Sequence, residues 1–386
     1  MTNEKQKENK KKKILIIGYG GTIVMVVDSE RNAIVPAKDV KEIIKLVPNL
    51  DKVADVHMEV LGNKDSTDVG PEDWTKLSMF IYNNHDKYDG FVITHGTNTL
   101  SYTASALSIA LGRGLKKPVI ITGSQLPLTV YGNDARFNFE NAVKTAVTAS
   151  EKNIAEVMIV FSDVILRGSR SVKTSESNFR AFDSPAFPEI GQISSTGIHF
   201  NRNARRVESN IKFDMNPRFS TNIISIDLTP GQHPKLIESM INSGSCNGVI
   251  LKSHGAGSVP INGEFSFLPF IKKTVKDYKI PVIVSTKFLG GNSYKEINDD
   301  NAVQAIEAGA IPGGDLTDVM TEVKLMWLLA NDSGSVEKIK EKMLKDYVGE
   351  VTEIEKKLFL FFYFFIFNKK LNDVIRFIIE KNLEEQ

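Results

Sequence analysis

From residue 14 the chain alternates short apolar runs with longer amphipathic stretches. ILII (14–17), GFVIT (90–94), VIIT (119–122) and VMIVF (157–161) have strand length and no polar alternation, the pattern of strands covered on both faces. Helical spacing follows in SYTASALSIAL (101–111) and FNFENAVKTAVTA (137–149). Each strand-like run ends in a polar segment: GYGGT, HGTNT, GSQLPL and SDVILRGSRSVK. Strands alternating with helices predict a parallel sheet. Ligands then bind beyond the carboxyl ends of the strands, where these segments lie.

Residues 200–221 lose the periodicity and carry many Asn and Arg, so a linker is predicted, with 206–221 as its body. The alternation then restarts. NIISIDL, GVILKSHGAGS and PVIVSTKF read as strands. HPKLIESMINSG, LPFIKKTVKDY, NAVQAIEAGA, LTDVMTEVKLMWLLAN and SVEKIKEKMLKDY read as helices. The expected fold is two-domain α/β, each domain a mostly parallel sheet flanked by helices, over 14–205 and 222–352. A lysine-rich tail (1–13) precedes them, and a Phe-rich tail of unassigned role (353–386) follows. LFLFFYFFIF (358–367) is ten apolar residues long, short of the 18–20 or so needed to span a membrane. It suits packing on the body or on a partner subunit.

Composition narrows the classes. Apolar residues make up 41% and charged residues 25% of 386, an ordinary globular balance. The net charge of +1 offers no electrostatic support for nucleic-acid binding. The lone cysteine, Cys246, has no internal partner and reads as a small buried residue in a reducing compartment. The polar N-terminus lacks the apolar core of a signal peptide, so a cytoplasmic location is expected.

Much familiar chemistry is missing. The sequence has no HExxH, no CxxC, no GxxxxGK[ST] and no GxSxG, and its six histidines are scattered. No metal or cofactor is expected. Gly18-Tyr19-Gly20-Gly21 follows a strand, but Ile23 stands where a dinucleotide fingerprint needs its last glycine. What remains is a threonine-centred set: Thr22 after Gly20-Gly21, Thr97 in His95-Gly96-Thr97-Asn98-Thr99, and Lys173 in a polar segment. Threonine needs an activating base, and a lysine can serve. Flanking glycines admit a substrate to backbone N–H groups that can hold an oxyanion. Each element alone has a plain structural reading. Gly-Gly-Thr is a turn, Asn98 or Thr99 a helix cap, Lys173 a solvated lysine, and Ser66 part of a polar loop before a helix opened by Pro71.

Together these motifs resemble the L-asparaginase family, particularly its cytoplasmic type I branch. The resemblance rests on YGGTI (19–23), DSTDVGPEDW (65–74), DGFVITHGTNTLSYTASALS (89–108), KPVIITGSQLPL (117–128), RGSRSVK (167–173), GVILKSHGAG (248–257) and GAIPGGDLT (309–317). It implies hydrolysis of asparagine to aspartate and ammonia without metal or cofactor, and a slower glutaminase side activity. Thr22 would be the nucleophile, and Thr97 with Lys173 an activating pair. Ser66 and Thr67 would bind the substrate α-carboxylate, and Asn98 would face its α-ammonium. The Thr97 N–H would serve as an oxyanion donor. A homodimer or homotetramer is implied, with the loop 253–258, including Ser258, completing a neighbour's site.

The chain departs from the family pattern at four places. Asn98 replaces an Asp, so the site loses a charge there and Lys173 loses a negative neighbour. No Tyr occurs between Thr22 and Pro36, where Ile34 is near the expected place. Val24 replaces a Gly, and Ser258 an Asn. These departures admit an alternative: a catalytically impaired homologue acting as an amino-acid-binding or regulatory protein. A third reading, a subunit acting on misacylated tRNA, expects an additional N-terminal module before the first strand.

Overall fold

The computed structural model describes residues 10–28, 30, 33–36, 47–293, 299–332 and 335–352. The first sheet has eight strands: β1 (Lys13–Gly20), β4 (Asp55–Lys64), β5 (Gly90–Thr94), β6 (Val119–Thr122), β7 (Val157–Phe161), β8 (Val164–Arg167), β11 (Gly191–Ser194) and β12 (Gly197–Phe200). Their order is β12-β11-β8-β7-β6-β5-β1-β4. The pairs from β4 to β7 are parallel, and those from β7 to β12 are antiparallel. A hairpin of β2 (Met25–Asp28) and β3 (Ala33–Pro36) follows β1. A two-residue pair joins β9 (Val172–Lys173) to β10 (Phe182–Asp183).

The apolar runs become strands because both faces are covered. Ile14 and Ile16 pack on α4 (Ala135–Glu151), among Ala142, Val143 and Ala146. Leu15 and Ile17 face α2 (Pro71–Asn84) and α3 (Leu100–Leu111). This second face is shared, because α3 lies against α8 (Asp318–Asn331). One apolar cluster therefore runs from Leu15 and Phe91 through Leu107 to Met320, Ile250 and Ile283. The second sheet is parallel throughout, in the order β13 (Ile223–Asp227), β14 (Gly248–Ser253), β15 (Val282–Thr286), β16 (Ile311–Pro312). Its other face packs on α5 (Lys235–Ile241) and α6 (Leu268–Lys276). Two short helices, α1 (Leu50–Val53) and α7 (Asp300–Glu307), and α9 (Val336–Met343) complete the described set.

Residues 201–222 are irregular, yet they are tied down. Lys116 Nζ donates to the Glu208 and Ile211 carbonyls. Asn216 N–H bonds Ala110 O, and the Trp327 indole donates to Asn216 O at 2.8 Å. The end of α9 leads to a hook, 344–351, fastened by a fully buried ion pair. Lys324 Nζ lies 2.7 Å from Glu350 Oε1, both side chains at 0% exposure. Burial pushes the Lys324 ammonium below its ordinary range. Burial opposes the Glu350 charge, but the Lys324 ammonium prevails and holds that carboxyl low. Arg167 and Arg170 both donate to the Gly349 carbonyl, and Arg170 also pairs with Asp315 at 2.8 Å.

Lys13 opens β1 and Lys12 leads directly into it: Asp55 N–H bonds Lys12 O, and Lys13 N–H bonds Asp89. Cys246 is buried, as its lone occurrence suggested. Residues 1–9 of the lysine-rich tail, the Phe-rich tail from 353, and the Ile34 side chain lie outside the described residues.

Candidate active site

Three polar turns meet at the carboxyl edge of the first sheet because their strands are neighbours. β1 pairs with β4 on one side and β5 on the other. Their ends deliver Thr22, the Ser66 turn and the His95–Thr99 turn. Glycine makes the approach close. Gly21 has φ 86 and ψ 163, a conformation open essentially to glycine alone. A β-carbon there would stand 2.5 Å from the His95 carbonyl oxygen. One at Gly96 would stand 2.5 Å from Ser66 Oγ. The Thr22 turn therefore rests on His95–Gly96, and the Ser66 turn also packs against Gly96.

Side-chain bonds hold the turns. Thr99 occupies the N-cap position of α3, but its hydroxyl makes no cap bond; it donates to Ser66 O at 2.5 Å. Asp65 accepts from Thr67 N–H at 2.8 Å, capping the short turn 66–68. Behind it, Tyr19 Oη and Lys64 Nζ both bond Asp73 Oδ1, at 2.5 and 2.7 Å, while Gly70 N–H bonds Oδ2. Burial alone would raise the Asp73 carboxyl, but the bonds from Lys64, Tyr19 and Gly70 win and lower it. Burial is the main cause raising the Tyr19 hydroxyl. His95 is fully buried, which pushes its imidazole down to about 4. Its Nδ1 faces the Gly96 carbonyl at 2.8 Å, so the proton sits on Nδ1 and Nε2 accepts from Thr103.

Lys173 reaches the same place from β9. Its Nζ donates to Thr97 Oγ1 at 2.9 Å, Asn98 Oδ1 at 3.2 Å and Glu176 Oε2 at 2.8 Å. Thr97 and Ser66 are buried, whereas Thr67 and Asn98 are exposed. Asn98 Nδ2 bonds Thr67 Oγ1 at 3.3 Å. The structure thus joins Thr97, Lys173, Asn98, Thr67 and Ser66, and seats the Thr22 turn beside them. It does not bring Ser258 to them: that hydroxyl bonds Asp299 Oδ2 at 2.5 Å, in the bridged loop His254–Ser258.

At position 98 the neighbour of Lys173 is the uncharged Asn98 oxygen, and a further acid, Glu176, forms an ion pair with the lysine. Sequence reasoning missed Glu176: an acid three residues after a lysine signals contact on a helix, but here β9 runs into a loop. Among the described residues no group of three His, Cys, Asp or Glu side chains gathers in a way that could hold a metal.

Residues 13–206 match the family described as "Asparaginase, N-terminal", and residues 222–343 match "Glutaminase/Asparaginase C-terminal domain". The L-asparaginase of Thermococcus kodakarensis is 32% identical over 341 residues, covering 88% of this chain and 99% of the relative. Its solved structure aligns with a TM-score of 0.78 over 89% of this chain and 100% of the other. A component of the glutamyl-tRNA(Gln) amidotransferase of Pyrococcus abyssi is 30% identical over 88% of this chain and 76% of the relative. The structure of a probable cytoplasmic L-asparaginase from Campylobacter jejuni is 27% identical, with a TM-score of 0.72 over 87% and 100% of the two chains. With both family halves matched and relatives alike over most of its length, this chain belongs to the asparaginase family.

Proposed function

We propose that the protein hydrolyses L-asparagine to L-aspartate and ammonia, with slower release of ammonia from glutamine. The observation that carries this reading is the 2.9 Å bond from Lys173 Nζ to Thr97 Oγ1, beside the Gly21-seated turn of Thr22. In this scheme Thr22 Oγ1 attacks the side-chain amide carbon. The oxyanion takes a hydrogen bond from the Thr97 N–H. The amide nitrogen gains the threonine proton and leaves as ammonia, and an aspartyl ester remains on Thr22. Water held at Thr97 attacks the ester, and its proton is relayed through the Thr97–Lys173 pair to the departing Thr22 oxygen, which frees aspartate and restores the Thr22 hydroxyl. Ser66 and Thr67 hold the α-carboxylate, and Asn98 lies beside the α-ammonium.

Residues 14–205 then form the catalytic domain and 222–352 the second domain. Thr67 and Asn98 are exposed, which suits a homodimer or homotetramer whose neighbouring 253–258 loop, with Ser258, closes the site. A cytoplasmic location accords with the likeness to the Campylobacter jejuni structure. No described helix is long and apolar enough to cross a membrane.

The test is ammonia release from asparagine and glutamine, wild type against Thr97→Ala. Loss of an activated proton path lowers kcat by about 10²–10⁴-fold. An unchanged rate in Thr97→Ala would refute the assignment. Asparagine binding by calorimetry with no ammonia from the wild type would favour an amino-acid-binding protein, the reading that the uncharged Asn98 admits.

A further inference from the structure

An amino-acid substrate brings an α-ammonium into the site, and a cation buried against protein needs an anionic partner. Asn98 supplies an oxygen but no charge. The acids around it are mostly committed. Asp65 caps the Ser66 turn, and Asp73 is held by Lys64, Tyr19 and Gly70. Asp68 sits on the same turn but has no bond to Thr97, Asn98 or Lys173 among the described residues. Glu176 differs. Its carboxylate and the Asn98 carboxamide oxygen bond the same Lys173 nitrogen, so they lie within two hydrogen-bond lengths of each other. The Glu176 side chain is 82% exposed while that of Lys173 is 12% exposed. The acid therefore stands at the open rim and can turn toward an incoming ligand without disturbing the core.

We propose that Glu176 is the specificity-determining anion of this site, supplying to the substrate α-ammonium the negative charge that position 98 lacks. In the structure its carboxylate rests on Lys173. A bound amino acid draws it to the ammonium, beside the Asn98 oxygen, and leaves Lys173 bonded to Thr97 and Asn98. The inference rests on the asparaginase reading above.

The experiment compares asparagine with succinamate, which keeps the amide and carboxylate but lacks the ammonium. Wild type, Glu176→Gln, Asp68→Asn and the double variant Asn98→Asp/Glu176→Gln are assayed for ammonia release. Glu176→Gln is expected to raise KM for asparagine about ten- to a hundredfold, the worth of one charge-assisted bond. That loss should exceed its loss on succinamate by at least tenfold. The double variant should recover asparagine KM, because the charge returns at the neighbouring oxygen. Equal losses on both substrates would mean a merely structural Glu176 and would overturn the proposal. So would transfer of the effect to Asp68→Asn, or no recovery in the double variant. A wild type that releases no ammonia from asparagine would instead sink the functional reading itself, so the two failures are distinct.

Discussion

Gly21→Ala should damage both stability and turnover, by separable mechanisms. At φ 86 and ψ 163 an alanine carries a backbone penalty of about 1–3 kcal/mol. Its β-carbon would sit 2.5 Å from the His95 carbonyl oxygen, where ordinary contact begins at 3.4 Å. Relief requires a movement of about 1 Å between two backbone segments, and forced overpacking of that kind costs about 1–3 kcal/mol more. The sum, about 2–6 kcal/mol, is a large part of the roughly 5–15 kcal/mol that holds a domain folded. The same movement separates Thr22 from Thr97, and about 1 Å of misplacement lowers turnover by about 10²-fold. Gly132→Ala is the control: φ is +73, but nothing lies within 4 Å of the added carbon. It should cost only about 1–2 kcal/mol and leave kcat alone. Urea denaturation and ammonia release measure both. A Gly21→Ala protein as stable as Gly132→Ala, with wild-type kcat, would refute the close approach.

The buried pair should break asymmetrically. Lys324→Met strands the Glu350 charge and should destabilise by about 3–5 kcal/mol, whereas Lys324→Met/Glu350→Leu should regain most of it; urea midpoints that fail to recover in the double variant would count against this. His95, held neutral with its imidazole near 4 against 6.5 unfolded, contributes stability fully present above pH 6.5 and lost as pH falls toward 4. Between pH 7.5 and 4.5 this amounts to about 2–3 kcal/mol. A His95→Gln protein lacks it, so its denaturation free energy should fall less over that interval; parallel curves would refute the neutral imidazole.

The fold was legible where burial erased polarity. Ile14–Ile17, Phe91–Ile93 and Val157–Phe161 are buried on both sides, and such runs have few other uses. β4 was not legible. It is an edge strand exposed at most of its positions; DVHMEV does alternate polar and apolar residues, but the pattern breaks at LGNK and no position is fully buried. β11 and β12 are four residues each and half exposed, which left the antiparallel end of the sheet unforeseen. In the candidate site, Thr22 and Thr97 stand out through the glycines and strand ends around them, whereas Lys173 and Ser66 have plain readings alone and are picked out by their combination with the other motifs. The Thr99 bond to the Ser66 carbonyl and the turn of Glu176 onto Lys173 do not, because both depend on how loops far apart in sequence fold back.

Arg170 and Gly349 are 179 positions apart, and the arginine stands just upstream of Lys173. A ribosome adding about 5–20 residues per second needs roughly 10–40 s to cover that interval. Throughout it the newborn first domain lacks the carbonyl to which Arg167 and Arg170 donate. The hook is thus the last fastening in order of synthesis: Arg170 finds this carbonyl only once residue 349 has been added.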